Sequence, residues 1–261
     1  MRNKLLFITV LLLSVTLITG CSLTKNEPKE AKEKNVVITN EDMKIFTTAA
    51  EAVFKVEKEK LTMNDLTAKE KGSIATSLPE INMYESSGPQ MIETFQKYFG
   101  KDQKVEFGDI KCGDDHGSEE ANIMLIYDKE KEKYVYNDKH PGHGGGGIKF
   151  VGHELTFDSV VVKGDTVEFK EKVLFYYPGL CHDIGPCEYG KAYKTYTDAK
   201  NETNPLTDID NNDKYTKTDY LTDMKMAEID KVVEDYRNDL VTYTFTFVKE
   251  DGHYIFKEYH K

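Results

Sequence analysis

The chain has 261 residues, 39% of them hydrophobic and 31% charged, with a formal net charge of −11, four Cys, seven His and no Trp. A mean hydropathy of −0.58 excludes a multi-spanning membrane protein, and the net acidity argues against attraction to phosphate backbones, so nucleic acid is not an expected partner. Enough apolar material remains for a sizeable core, which excludes wholesale disorder.

Arg2 and Lys4 form a positive start, and Leu5 to Ile18 is an apolar run shorter than the roughly 20 residues of a comfortable membrane span. It reads as a secretory signal. The run ends in Leu17-Ile18-Thr19-Gly20-Cys21, which resembles the lipobox of bacterial lipoproteins. That resemblance implies a signal peptide over 1–20, cleavage before Cys21, and a diacylglyceryl thioether on the Cys21 thiol with palmitate-type acylation. Each buried acyl CH₂ contributes about 0.8 kcal/mol to membrane attachment. The alternative, an uncleaved N-terminal anchor, places the body in the same extracytoplasmic space, on the cell membrane. Losing 1–20 removes two basic residues and no acidic one, so the remainder is more acidic than the whole chain. Ser22 to Lys34 is polar and charged, the composition of a solvated tether, and residues 21–35 are expected to hold the body off the bilayer.

The folded domain is expected over 36–261. After Asn40, a capping residue type, Met43, Phe46, Ala50, Val53 and Glu57 recur at three- and four-residue steps and predict a helix over 41–60. A weaker helix is expected over 64–76, before Leu78-Pro79. Ser87-Gly88-Pro89 starts a third, whose stripe is Met91, Ile92, Phe95, Tyr98 and Phe99 and whose stop is Gly100. From Val105 the pattern turns β-branched and aromatic, with strands predicted at 105–111, 121–128, 132–137, 148–157, 159–163 and 166–177. Lys163-Gly164-Asp165 is the turn between the last two. Met226, Ile229, Val232, Val233 and Tyr236 predict a helix over 224–240, and the chain closes on a hairpin, 241–248 with 254–259, around Glu250-Asp251-Gly252. There Tyr243, Phe245 and Phe247 alternate with Thr242, Thr244 and Thr246, one face buried and the other wet. No internal repeat is found.

The expected fold class is α+β: N-terminal helices packed on a largely antiparallel, curved β-sheet, with a helix near the C-terminus before a final hairpin. Over residues 36–261 this arrangement resembles the NTF2-like or cystatin-like cones of small Gram-positive lipoproteins, without a shared motif. Folds of this kind host unrelated functions.

Three loops concentrate chemistry-bearing side chains: Cys112 to Gly117 with His116; His140-Pro141-Gly142-His143 leading into Gly144 to Gly147; and Cys181-His182 to Cys187. Neutral imidazoles and thiolates suit zinc or copper, so Cys112, His116, His140, His143 and His182, with Cys181, form a candidate metal set, although their spacing matches no zinc motif. Surface imidazoles and a disulfide are the competing explanation. In an oxidising compartment Cys181 and Cys187 are close enough in sequence to close a small loop, which leaves Cys112 a free thiol beside His116; the alternative is that Cys112 pairs with one of the two in place of that bridge. The glycine run lacks the Lys-Ser/Thr of a nucleotide loop. Asp208, Asp210 and Asn212 resemble the first, third and fifth positions of an EF-hand calcium loop, which departs at Asp213 in place of Gly and Asp219 in place of the twelfth-position Glu. No Gly-x-Ser-x-Gly, His-Glu-x-x-His or Ser-x-x-Lys signature of an enzyme is found. The function expected is a lipid-anchored binding or interaction module for an unknown small-molecule or protein ligand, with no cofactor. The alternatives are a metal-handling surface lipoprotein and a hydrolase with an unrecognised site.

Overall fold

The structure is a computed structural model that describes residues 37–56, 58–111, 118–140, 151–177, 190–209 and 223–261, the side chains of the last segment from residue 229. Its elements are mixed α and β, and the sheets are antiparallel throughout, in agreement with the expected class.

Helix α1 (Asn40–Phe54) starts one residue earlier than its sequence suggests. The cap is Thr39, not Asn40: Asp42 N–H donates to the Thr39 hydroxyl while the Asp42 carboxylate accepts from Thr39 N–H at 2.8 Å. This reciprocal pairing satisfies two donors that a helix start leaves open. The same device opens α2 (Ala68–Thr76), with Thr67 and Glu70, and α3 (Gly88–Phe99), with Ser87 and Gln90. At Gly100 the backbone turns to φ 93°, the left-handed region that ends α3 where the sequence places the stop.

The predicted helix over 41–60 is too long at its C-terminal end. Lys60–Thr62 is instead a short strand, β1, and Met63–Asp65 a single 3-10 turn. Leu61 is buried against β10 (His253–His260), pairing with Tyr259, so tertiary contact rather than helical periodicity decides this stretch.

The predicted strand at 105–111 shrinks to β2, Ile110–Lys111. Upstream, Glu106 N–H donates to Ala68 O at 2.9 Å, so residues 105–107 run against the start of α2 rather than in a ladder. Val105 and Phe107 still point inward. Their alternation is genuine, but it reflects packing on a helix. A Cβ on Gly72 would lie 2.2 Å from Glu106 O, which explains a glycine inside α2.

Strands β2, β3 (Ile123–Asp128) and β4 (Lys133–Tyr136) form a small sheet whose inner face carries Leu125, Tyr127 and Tyr134, with Phe107 of the preceding segment packed on the two tyrosines. In the main sheet, β5 (Gly152–Lys163) and β6 (Thr166–Tyr177) make the long hairpin expected from Lys163-Gly164-Asp165. The two strands predicted at 148–157 and 159–163 are one, bent by a bulge between Phe157 and Ser159. Three elements have no counterpart in the sequence reading: β7 (Gly190–Tyr193), α4 (Tyr196–Asn201) and β8 (Thr207–Ile209). Helix α5 (Asp223–Tyr236) and the hairpin β9 (Val241–Glu250) with β10 complete the chain. Among the described residues the order is β1-β10-β9-β6-β7-β8, with β5 on the other side of β6.

The two faces of β6 bury different things. Val167, Phe169, Val173 and Phe175 face α1, whose Phe46 ring lies 4.6 Å from Phe247 and 5.7 Å from Phe169, and whose Phe54 ring lies 5.0 Å from Tyr243 and 5.8 Å from Phe175. Tyr243, Phe245 and Phe247 of β9 are buried in this layer, as the alternation in the sequence implies, whereas the intervening threonines, expected to be wet, are half-buried. On the opposite face Leu174, Ala192 and Ile209 pack with Ile229 and Val233 of α5. Arg237, beyond the end of α5, donates to Phe157 O at 2.6 Å and ties that helix to the bulged edge strand.

Candidate functional site

Two features stand out from the packing: a buried carboxyl on the inner face of β6 and a groove between α1 and α2. The carboxyl is Glu171. Alternation along β6 puts it in phase with Val167, Phe169, Val173 and Phe175, so the sheet carries it inward with the apolar side chains. Its cross-strand neighbours are Phe157 on β5 and Tyr243 on β9. Glu171 is only 2% exposed, and its Oε2 has no hydrogen-bond partner among the described residues.

Burial pushes this carboxyl up to about 8, and the charges of Glu51 on α1 and Glu154 on β5 act in the same direction. The cause is elementary: an isolated carboxylate loses its hydration in an apolar layer, whereas the neutral acid does not. Glu171 is therefore predominantly a neutral carboxylic acid at pH 7. Further along β5, opposite Phe175, His153 lies 3.8 Å from Glu51 Oε2 and meets the Phe54 ring edge-on at 5.1 Å. Burial also raises Tyr176, again with Glu154 and Glu51 as secondary causes. The Tyr176 ring lies over Gly152, where any Cβ would come within 2.4 Å of it.

The groove has a volume of about 360 Å³ and is lined by Ala52, Lys55 and Val56 of α1 and its end, and by Glu70, Ser73, Ile74 and Ser77 of α2 and its end. Its floor is apolar and its rim polar. At one end Lys58 donates to Glu70 Oε1 at 3.1 Å. The backbone N–H of Thr67 and this lysine together hold the Glu70 carboxyl below the ordinary glutamate range. The rim thus carries a Glu70–Lys58 ion pair, with Lys55 a further basic residue in the lining.

Of the candidate metal ligands, His140 lies in the described chain; Cys112, His116, His143 and His182 lie outside the described residues, as do Cys181, Cys187 and Cys21. His140 is buried, at 4% exposure, and its Nδ1 bonds Ala121 O at 2.9 Å. Beside it Asn137 donates to Glu120 O and Ile123 O, and His140 N–H donates to Asn137 O. The residue closes the turn after β4 against the segment 118–123, so it is no surface imidazole. Among the described residues no three His, Cys, Asp or Glu side chains are grouped as a metal ion would need.

The described residues that flank the three Cys/His loops meet in two separate pairs. His140, at the start of the glycine-rich loop, touches the segment that follows the 112–117 loop. Gly152, just past its end, pairs with Tyr176, just before the 181–187 loop. Asp208, the first residue of the calcium-like pattern, sits in β8 opposite Lys191, in a ladder rather than a loop; Asp210 and Asn212 lie outside the described residues.

Glu171 is the residue that sequence reading misses. Its signal is present nonetheless: Val167-x-Phe169-x-Glu171-x-Val173-x-Phe175 puts one acid in register with four apolar residues. Comparison with protein-family models, with curated proteins and with solved structures finds no match for this chain.

Proposed function

We propose that this chain is a lipid-anchored, extracytoplasmic binding module, held to the membrane through Cys21 and a polar tether over 22–34. The observation that carries a binding role is the α1–α2 groove, whose size falls within the range of small-molecule sites and whose lining combines an apolar floor with a few polar groups. Lys55 and Glu70 on its rim favour a small ligand with an apolar body and a polar or charged head. The test uses the absence of tryptophan from the chain. An anionic naphthalene dye such as 8-anilinonaphthalene-1-sulfonate, matching that description, is titrated into wild type and into Ser73→Trp, which adds bulk to the exposed rim. Saturable binding that the substitution weakens supports the groove as a ligand site. Equal binding by both proteins places the dye elsewhere and contradicts it.

A second reading is metal handling by the Cys/His loops. What favours it is the concentration of Cys and His in those loops, together with the carbonyl held by His140 Nδ1, the support that imidazole ligands of zinc ordinarily have. Calorimetry with Zn²⁺ on wild type and on a variant combining His140→Ala with His143→Ala distinguishes the two readings. Retained affinity in the variant removes this loop from any metal site.

A further inference from the structure

We infer that the buried Glu171 carboxyl, while uncharged, acts as a clamp that seats α1 on the sheet, so that ionising it loosens α1 and, with it, the wall that α1 contributes to the α1–α2 groove. The geometry is that of a carboxyl beneath a helix. Glu171 is 2% exposed on the α1 side of β6, and its Oε2 lacks a hydrogen-bond partner among the described residues. α1 covers this face through Phe46 and Phe54, and its alanines at 49, 50 and 52 are buried, so the helix sits close to its support with little slack.

The groups that face Glu171 favour the neutral form. On its own face lie Glu51 from α1, Phe157 and, further along, His153 from β5, and the Tyr243 ring from β9; Glu154, paired with Leu174, and Tyr176 alternate to the opposite face, from which the Glu154 charge still acts. The charges that act appreciably on the carboxyl are both negative. An ionised Glu171 would be a desolvated charge facing other negative charges, and the simplest relief is water. On the β9 side an unbroken ladder holds β6 from Thr166 to Val173, and on the β5 side the register shifts at Phe157 and Ser159, beside Glu171; lifting α1 opens to water the face that its own side chains cover. α1 also supplies Ala52, Lys55 and Val56 to the groove, so a shift of the helix changes the groove's shape.

The groove's role as a ligand site rests on the reading above. The clamp on α1 does not, and hydrogen exchange reads it without any ligand. Amide exchange is followed on the full chain between pH 5 and pH 8, corrected for the intrinsic pH dependence of exchange. In wild type, protection of α1 amides should fall with pH relative to that of α3, by up to roughly tenfold per pH unit, since the opened state releases a proton that the closed state keeps. In Glu171→Gln the ratio of α1 to α3 protection should be flat across the same range. Parallel behaviour of the two helices in wild type overturns the proposal, and so does an undiminished slope in the variant. Infrared spectroscopy on wild type keeps the test decisive if the variant fails to fold. The carbonyl stretch of a protonated, buried carboxylic acid should be present at pH 6 and lost well above pH 8, and its absence at pH 6 also overturns the proposal. If exchange follows the clamp but the naphthalene dye ignores Ser73→Trp, the clamp stands and the groove reading falls.

Discussion

Replacing Glu171 by Gln should change how stability depends on pH more than it changes stability at any one pH. The sign follows from where protons are bound. Below about pH 4.5 the carboxyl is protonated in both the folded and the unfolded chain and costs nothing differential. Between 4.5 and about 8 the unfolded chain gives up the proton while the folded chain retains it, so unfolding becomes progressively easier as pH rises. Above about 8 the folded form ionises too and the loss levels off. A tenfold change in proton affinity corresponds to about 1.4 kcal/mol, which sets a ceiling of roughly 5 kcal/mol on what wild type forfeits across this window. Relaxation around the carboxyl reduces that figure to roughly 2–4 kcal/mol. Gln is nearly isosteric and does not ionise, so the variant should lack this component while retaining those of the surface carboxylates. Urea denaturation of both proteins at half-unit steps from pH 4.5 to 8.5 measures the difference directly. The stability of Glu171→Gln relative to wild type should rise steadily by roughly 2–4 kcal/mol over the window. A difference that stays constant with pH would refute the burial argument, whatever its absolute value.

Two further predictions concern backbone approach and thiols. Gly72→Ala should destabilise by roughly 1–3 kcal/mol in chemical denaturation: Ala is favoured over Gly in a helix by about 1 kcal/mol, but the new Cβ would meet the backbone oxygen of Glu106 at 2.2 Å, and an oxygen fixed in the chain cannot swing aside. A stability gain would show that residues 105–107 yield easily. Thiol counting on the folded, non-reduced protein with Cys21 blocked by lipid should find one free thiol, with Cys181 and Cys187 joined; three would exclude the bridge.

What was readable in the sequence tracks the range of the interactions involved. α3 is bracketed by local signals, Ser87-Gly88-Pro89 at its start and Gly100 at its end, and Met91, Phe95, Tyr98 and Phe99 of its expected stripe are buried, Ile92 half-buried. The β5–β6 and β9–β10 hairpins are equally local, each folded about a glycine at positive φ. By contrast β1, β7 and β8 are three or four residues long and exist because distant partners hydrogen-bond to them; β1 pairs with a strand some two hundred residues away, and three residues carry no usable periodicity. The segment 105–107 shows the converse failure, a strand-like alternation whose backbone partner is a helix. Of the candidate sites, His140 was visible as a residue but not as a buried one, because its burial depends on the turn that Asn137 closes with Glu120 and Ile123. Glu171 was visible as a break in apolar alternation. Reading along the chain for clusters of Cys and His passes over a single acid among phenylalanines and valines.

The anchored-module account is tested most directly at Cys21. Intact mass and detergent partitioning are measured on the protein recovered from cells making wild type or Cys21→Ala. The account predicts a wild-type product that begins at Cys21, carries the added mass of a diacylglyceryl group and enters the detergent phase; the variant should be either uncleaved or released into the medium. A Cys21→Ala product of mature size that partitions like wild type would contradict it.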